Sequence, residues 1–133
     1  MFDDDPEEDL RILCYLHDQI IEASGEAKGF HSEGLVRSAL ARPNQSAFCE
    51  DMYSDLFIKA GALLDSIANN HGFRDGNKRT AMAAAALYLS FHNIEVQFTN
   101  EEYEEIMLHV VNDKPTVAEI KAWLVQHADA IVR

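Results

Sequence analysis

Apolar positions along this chain recur mostly at helical spacing. Pro6 opens a segment in which Leu10, Leu13, Leu16, Ile20 and Ile21 fall roughly on one face, and Gly25 closes it. Residues 25–34 hold three glycines and read as a loop. Residues 35–41 form a short helix that Pro43 stops, and residues 44–47 read as turn or loop. From about residue 50 to 69, Tyr53, Leu56, Phe57, Ala60, Leu63, Leu64 and Ile67 repeat with a helical period. After a polar stretch, residues 80–91 are Ala-rich and apolar nearly all round. A helix of that kind is buried from every side, and its alanines let neighbours approach closely.

Beyond this segment, Ile94, Val96 and Phe98 alternate with Glu95 and Gln97, which allows one short strand or an extended link. Thr99-Asn-Glu-Glu102 and Thr116-Val-Ala-Glu119 both have the form of a capping box. They start helices over about 100–111 and 117–130, joined by residues 112–115. The pattern predicts an all-α bundle of about six helices around a buried Ala-rich central helix, with at most a short strand or hairpin.

A length of 133 residues without repeat, low-complexity tract or linker predicts one domain, 1–133. At 47% hydrophobic and 26% charged, the composition is that of a soluble globular protein. No run of about 18 apolar residues exists, so no membrane-spanning segment is expected. The acidic start, Met-Phe-Asp-Asp-Asp-Pro-Glu-Glu-Asp, is the opposite of an export signal, and a cytoplasmic location is expected. Cys14 and Cys49 are too few for a disulfide framework and lack metal-site spacing.

Net charge is −12, which argues against direct nucleic-acid binding, because that affinity comes largely from Lys and Arg on phosphates. Three of the 11 cations, Arg74, Lys78 and Arg79, nonetheless fall within one six-residue stretch. A concentrated basic spot on an acidic body suits a small phosphorylated ligand. The acidic surface could also receive a basic partner segment.

That basic spot belongs to His71-Gly72-Phe73-Arg74-Asp75-Gly76-Asn77-Lys78-Arg79-Thr80-Ala81. The stretch connects two helices and brings together a potential general base, a metal-binding carboxylate, an amide and three cations. Asn77 opens the second helix, whose start exposes unpaired N–H groups and a partial positive charge. Lys78 and Arg79 sit in that first turn, where cations are unfavourable by roughly 0.3–1 kcal/mol each, and a bound phosphate would reverse the sign. Gly76 removes a Cβ where a ligand would come close to backbone. Other readings fit less well. Asp75-Gly76 lacks the flanking alternation of a hairpin, Gly72-x-x-x-Gly76-Asn77-Lys78 lacks P-loop spacing and a preceding strand, and Asp75-Gly76-Asn77 lacks the remaining EF-hand ligands.

The eleven-residue motif resembles the signature of the Fic/Doc superfamily, in its Doc (death-on-curing toxin) branch. Weaker matches follow the same order upstream: Leu16-His17-Asp18, Gly34-Leu35, Ala39-Leu40-Ala41-Arg42-Pro43 and Tyr53-x-Asp55-Leu56-Phe57-x-Lys59-Ala60. The resemblance implies a Fic fold whose central helix begins at the motif. It assigns His71 as general base toward a Ser or Thr hydroxyl and Asp75 as the Mg²⁺ ligand. Gly76 and Asn77 would help form the anion nest, and Lys78 and Arg79 would neutralise phosphate. Phe73 would pack inward and fix the loop, and Arg74 receives no role.

Adenylylating Fic enzymes resemble His-x-Phe-x-Asp/Glu-Gly-Asn-Gly-Arg-x-x-Arg. Here Lys78 replaces the last fixed glycine and Met82 stands where the second arginine belongs. The Doc branch is understood to bind nucleotide the other way round and to transfer the γ-phosphate. The resemblance thus implies an ATP- and Mg²⁺-dependent protein kinase toxin, with adenylyl transfer or a non-catalytic binding or co-repressor module as alternatives. For Doc-type toxins the implied substrate is a threonine of elongation factor Tu, and the implied restraint is a Phd-type antitoxin segment. An inhibitory Ser/Thr-x-x-x-Glu-Gly/Asn helix is not expected, since Ser46-x-x-x-Glu50 is followed by Asp51.

Outside the motif, His17 shares the face of Leu10, Leu13 and Ile20 and reads as a satisfied, partly buried histidine. His31, His92, His109 and His127 lack metal-ligand spacing. Tyr53, Phe57 and Tyr88 read as core, Trp123 as the anchor of the last helix, and residues 101–105 as a solvated acidic face.

Overall fold

The computed structural model describes residues 5–47, 50–51 and 55–130. Helix α1, Pro6–Ser24, starts where the Asp5 carboxylate accepts the Glu8 N–H, with Pro6 in the first turn and Glu7, Glu8 and Asp9 adding negative charge at the positive end. It ends at Gly25, whose φ of 73° is the left-handed stop that glycine takes without a Cβ penalty. Its buried face holds Leu10, Leu13, His17 and Ile21.

Helix α2, Glu33–Ala41, begins two residues earlier than the apolar pattern indicates, because the Ser32 hydroxyl caps it by accepting the Leu35 N–H. Pro43 lies in a single 3₁₀ turn, Arg42–Asn44. Two short strands follow, β1 (Ser46–Ala47) and β2 (Glu50–Asp51), paired antiparallel with Ser46 opposite Asp51. Residues 50 and 51 are therefore not helical, contrary to the sequence reading. Helix α3, Leu56–Asn70, starts only after Asp55, whose side chain accepts the Ile58 N–H at 2.8 Å and sets the boundary. Ser46 and Glu50 lie on these strands, in line with the absence of an inhibitory helix there. Tyr53 and Cys49 lie outside the described residues.

Helix α4, Asn77–Ser90, is the Ala-rich segment. Ala81, Ala84, Ala85 and Leu89 have no exposed surface, and no residue from 80 to 90 is fully exposed. It packs along α3 and against α1, while α3 also meets α2. Strand β3 spans Ile94–Val96, and helix α5, Asn100–Asp113, follows its expected capping box of Thr99 and Glu102. Helix α6, Val117–Gln126, has the second box, Thr116 with Glu119, and packs on α3.

The last helix stops four residues short of the expected 130. His127 leaves helical geometry at φ −102° and ψ 8°, its carbonyl accepts the Gln97 N–H, and β4 (Ala128–Ala130) pairs antiparallel with β3. Ladder bonds to β3 replace the helical bonds that residues 128–130 would otherwise make. Trp123 anchors this end by packing on Phe98 and His127, as its position on the last helix indicated. The outcome is an all-α bundle with six α-helices and two two-stranded ribbons among the described residues. No described helix is long and apolar enough to cross a membrane.

Candidate active site

The motif lies where the sequence places it, in the connection between α3 and α4. His71 ends α3 in the left-handed region, at φ 53° and ψ 42°, with its side chain exposed. Such a conformation is uncommon for a residue with a Cβ and costs energy that surrounding contacts must offset. Those contacts come mainly from the α1–α2 connection, residues 25–32. The His31 and Ser32 N–H groups both donate to the Gly72 carbonyl, at 2.8 and 2.9 Å, and the Arg74 N–H donates to the Gly29 carbonyl. Phe30 and Phe73 form an isolated antiparallel bridge.

Phe73 turns inward, as expected, and is 3% exposed. Its ring stacks on His17 with centroids 3.8 Å apart and on Phe30 at 5.7 Å. His17 is the satisfied, buried histidine that the apolar pattern indicated, but its hydrogen-bond partner is the motif itself. Its Nε2–H donates to the Asp75 carbonyl at 2.8 Å. The sequence gives no signal for this bond, because 58 residues separate the two partners.

Each motif side chain can now be placed. Asp75 is half-buried; Oδ2 accepts the Ala27 N–H at 3.0 Å, and among the described residues Oδ1 accepts no hydrogen bond. The Asn77 side chain turns back onto the loop. Its Oδ1 accepts the Phe73 N–H and its Nδ2 donates to the Phe73 carbonyl, so the side chain closes the loop rather than facing an anion. Gly76 is also needed for packing: at φ 77° it begins α4, and an added Cβ would lie 2.7 Å from Ile21 Cδ1 of α1. With no capping side chain on Gly76, the first-turn N–H groups of α4 receive no side-chain cap.

Gly76, Asn77, Lys78 and Arg79 line one side of a cleft of about 280 Å³, with Tyr103, Glu104, Met107 and Leu108 of α5 opposite. This is near the lower end of small-molecule sites. His71 and Asp75 stand on the preceding loop and do not line the cleft. Lys78 is exposed, whereas Arg79 forms an ion pair with Glu26, which also borders the cleft. Glu26 and Glu104 escape sequence reasoning: the first is a lone carboxylate in a loop, and the second belongs to a stretch that reads only as a solvated acidic face.

Among the described residues no three His, Cys, Asp or Glu side chains converge as an all-protein metal site would require. Magnesium needs less than that, since it is commonly held by one or two carboxylates together with substrate phosphates and water. Asp75, whose Oδ1 has no partner among the described residues, fits that mode. The arrangement supplies an accessible imidazole, a carboxylate suited to a hard cation, helix-start N–H donors and two cations, which are the groups that phosphate-transfer chemistry uses.

The Fic/DOC family model matches residues 7–89, from α1 through nearly all of α4. The chain is 38% identical over 112 residues to a Mycolicibacterium smegmatis protein named Toxin Doc, covering 83% of this chain and 85% of that one. It is 29% identical over 108 residues to the Protein kinase doc of Escherichia phage P1, covering 81% and 84%. With its family match beginning in α1 and running through the motif, the chain belongs to the Fic/DOC family, in its Doc branch.

Proposed function

We propose that this chain is a Doc-like toxin that acts as a protein kinase, transferring the γ-phosphate of ATP to a Ser or Thr hydroxyl of a protein. The hydroxyl oxygen attacks the γ-phosphorus while the bond to the β–γ bridging oxygen breaks and ADP leaves. His71 takes the hydroxyl proton. N–H donors at the start of α4 receive phosphate oxygens, with Lys78 and Arg79 neutralising charge. Asp75 would hold Mg²⁺, which would draw charge from the phosphates.

The observation that carries the choice of reaction is at position 82. An adenylylating enzyme uses a second arginine there, yet Met82 is 3% exposed and belongs to the core. A guanidinium in that place would be buried among the other helices, so position 82 does not supply the clamp that adenylyl transfer uses. The relatives named Toxin Doc and Protein kinase doc support the same reading. Elongation factor Tu is the proposed target, with translation arrest as the consequence. A Phd-type antitoxin segment is the proposed restraint, acting in trans from within the same cytoplasm.

The test mixes the protein with cell lysate and ATP labelled at either the γ- or the α-phosphate, beside a His71→Ala control. We expect label from the γ-position alone, with a loss of about 100-fold or more in the control. Label from the α-position alone would establish adenylyl transfer instead. Absence of His71-dependent label in both arms would leave a binding or co-repressor role and end the enzyme reading.

A further inference from the structure

We infer that His17, on α1, is a positioning residue for the phosphate site, acting through the peptide between Asp75 and Gly76. The inference rests on the reading of that site as phosphate-binding. His17 is 1% exposed, with one ring face against Phe73 at an interplanar angle of 10° and its Nε2–H on the Asp75 carbonyl at 2.8 Å. Because the acceptor is a carbonyl, Nε2 carries a proton whichever charge state the ring holds.

This bond sets more than the place of a carbonyl. The Asp75–Gly76 peptide is trans, and in a planar trans peptide the C=O and N–H point in opposite directions. Holding the Asp75 oxygen toward α1 therefore turns the Gly76 N–H away from α1, at a residue that lines the cleft. That N–H precedes the open first-turn donors of α4. The same bond fixes the backbone that carries the Asp75 carboxylate. Helix α1 packs closely on this peptide, with Ile21 Cδ1 2.7 Å and His17 Cδ2 3.8 Å from where a Gly76 Cβ would be. Loss of the Nε2–H would take its donor from the Asp75 carbonyl, in a part-buried bond, and would free the peptide to rotate toward another partner. Rotation would redirect the Gly76 donor and the metal-binding side chain together.

The proposal separates the donor from the ring. His17→Phe keeps a ring to stack on Phe73 and loses the donor; His17→Gln loses the ring and keeps a donor near the position of Nε2. In both, the kcat and apparent KM for ATP would be measured from γ-label incorporation in lysate. Binding of inorganic tripolyphosphate would be measured by calorimetry. Misplacement on this scale lowers rates by up to about 100-fold. We expect His17→Phe to lose about 10- to 100-fold in kcat and to bind tripolyphosphate more weakly, and His17→Gln to recover most of both.

Equal kcat and equal tripolyphosphate binding in His17→Phe and wild type would overturn the inference while leaving the phosphate site standing. A fall in thermal stability with unchanged kcat per folded molecule would do the same. A wild-type chain that does not bind tripolyphosphate or ATP would remove the site reading and the inference with it. Should both variants fail to fold, the ring ¹⁵N resonance of His17 in the unmodified chain decides. A shift when tripolyphosphate binds supports the coupling, and an unchanged resonance at saturation refutes it.

Discussion

At the scale of single residues, the site mixes groups that border the cleft with groups that hold the loop. Asn77 looks from the sequence like an anion ligand, yet both ends of its amide close on Phe73. Arg79 has the expected place, but Glu26 already neutralises it. Both partners of that pair are about two-fifths exposed, so the ion pair contributes only about 0.2–1 kcal/mol. A nucleotide phosphate must compete with it. Glu26→Gln should therefore tighten ATP binding by up to about fivefold, measured by calorimetry, with little change in melting temperature. Unchanged or weaker binding would show that Arg79 does not meet the phosphates.

At the scale of elements, close approach and end-capping decide the geometry. Gly72 lets the motif loop touch α2, because an added Cβ would lie 2.5 Å from Val36 Cγ2 and 3.0 Å from the Val36 backbone nitrogen. The side chain could rotate, but the backbone cannot. Gly72→Ala should cost about 1–3 kcal/mol, read as a lower urea midpoint. It should also lower activity, since the Gly72 carbonyl holds both His31 and Ser32.

The end of α6 is tied to α5 by His127, whose Nε2 is 2.7 Å from Glu102 Oε2. The Trp123 carbonyl and then Glu102 raise the His127 pKa above its ordinary 6.5. The Thr99 N–H and then His127 lower the Glu102 pKa below 4.5. A raised imidazole contributes stability that is complete below 6.5 and lost as pH rises through the folded value. A lowered carboxylate contributes stability that is complete above 4.5 and lost as pH falls through its folded value. Both contributions are thus complete between those two ordinary values. Melting temperatures taken from pH 6 to 9 should fall less steeply in Glu102→Gln than in wild type, and parallel curves would show that the pair does not couple to folding.

At the scale of the whole molecule, the Doc reading makes a prediction about cells. Expression of the wild-type chain should stop growth, and Asp75→Ala should be tolerated at equal protein level. Equal arrest by both would separate toxicity from metal-dependent chemistry. With a net charge of −12, the chain's capture of a basic antitoxin segment should also weaken as salt increases. Binding measured at two ionic strengths checks this, and a salt-independent affinity would point to an apolar contact.

Sequence alone determined what depends on neighbours along the chain. Helical periodicity placed α1 and the buried α4, the two capping boxes marked the starts of α5 and α6, and the motif fell at the start of α4. Each of those signals acts over one or two helical turns. Tertiary structure decided what depends on segments meeting from far apart. It ended α6 at Gln126, because β3 offers residues 128–130 a ladder that periodicity cannot reveal. It set Glu26 on Arg79, turned Asn77 back onto Phe73, and brought His17 to the Asp75 carbonyl. The family was legible because its motif gathers particular side chains close together in one stretch. Their orientation was not, because it comes from hydrogen bonds and contacts that α1 and its following loop make across the fold.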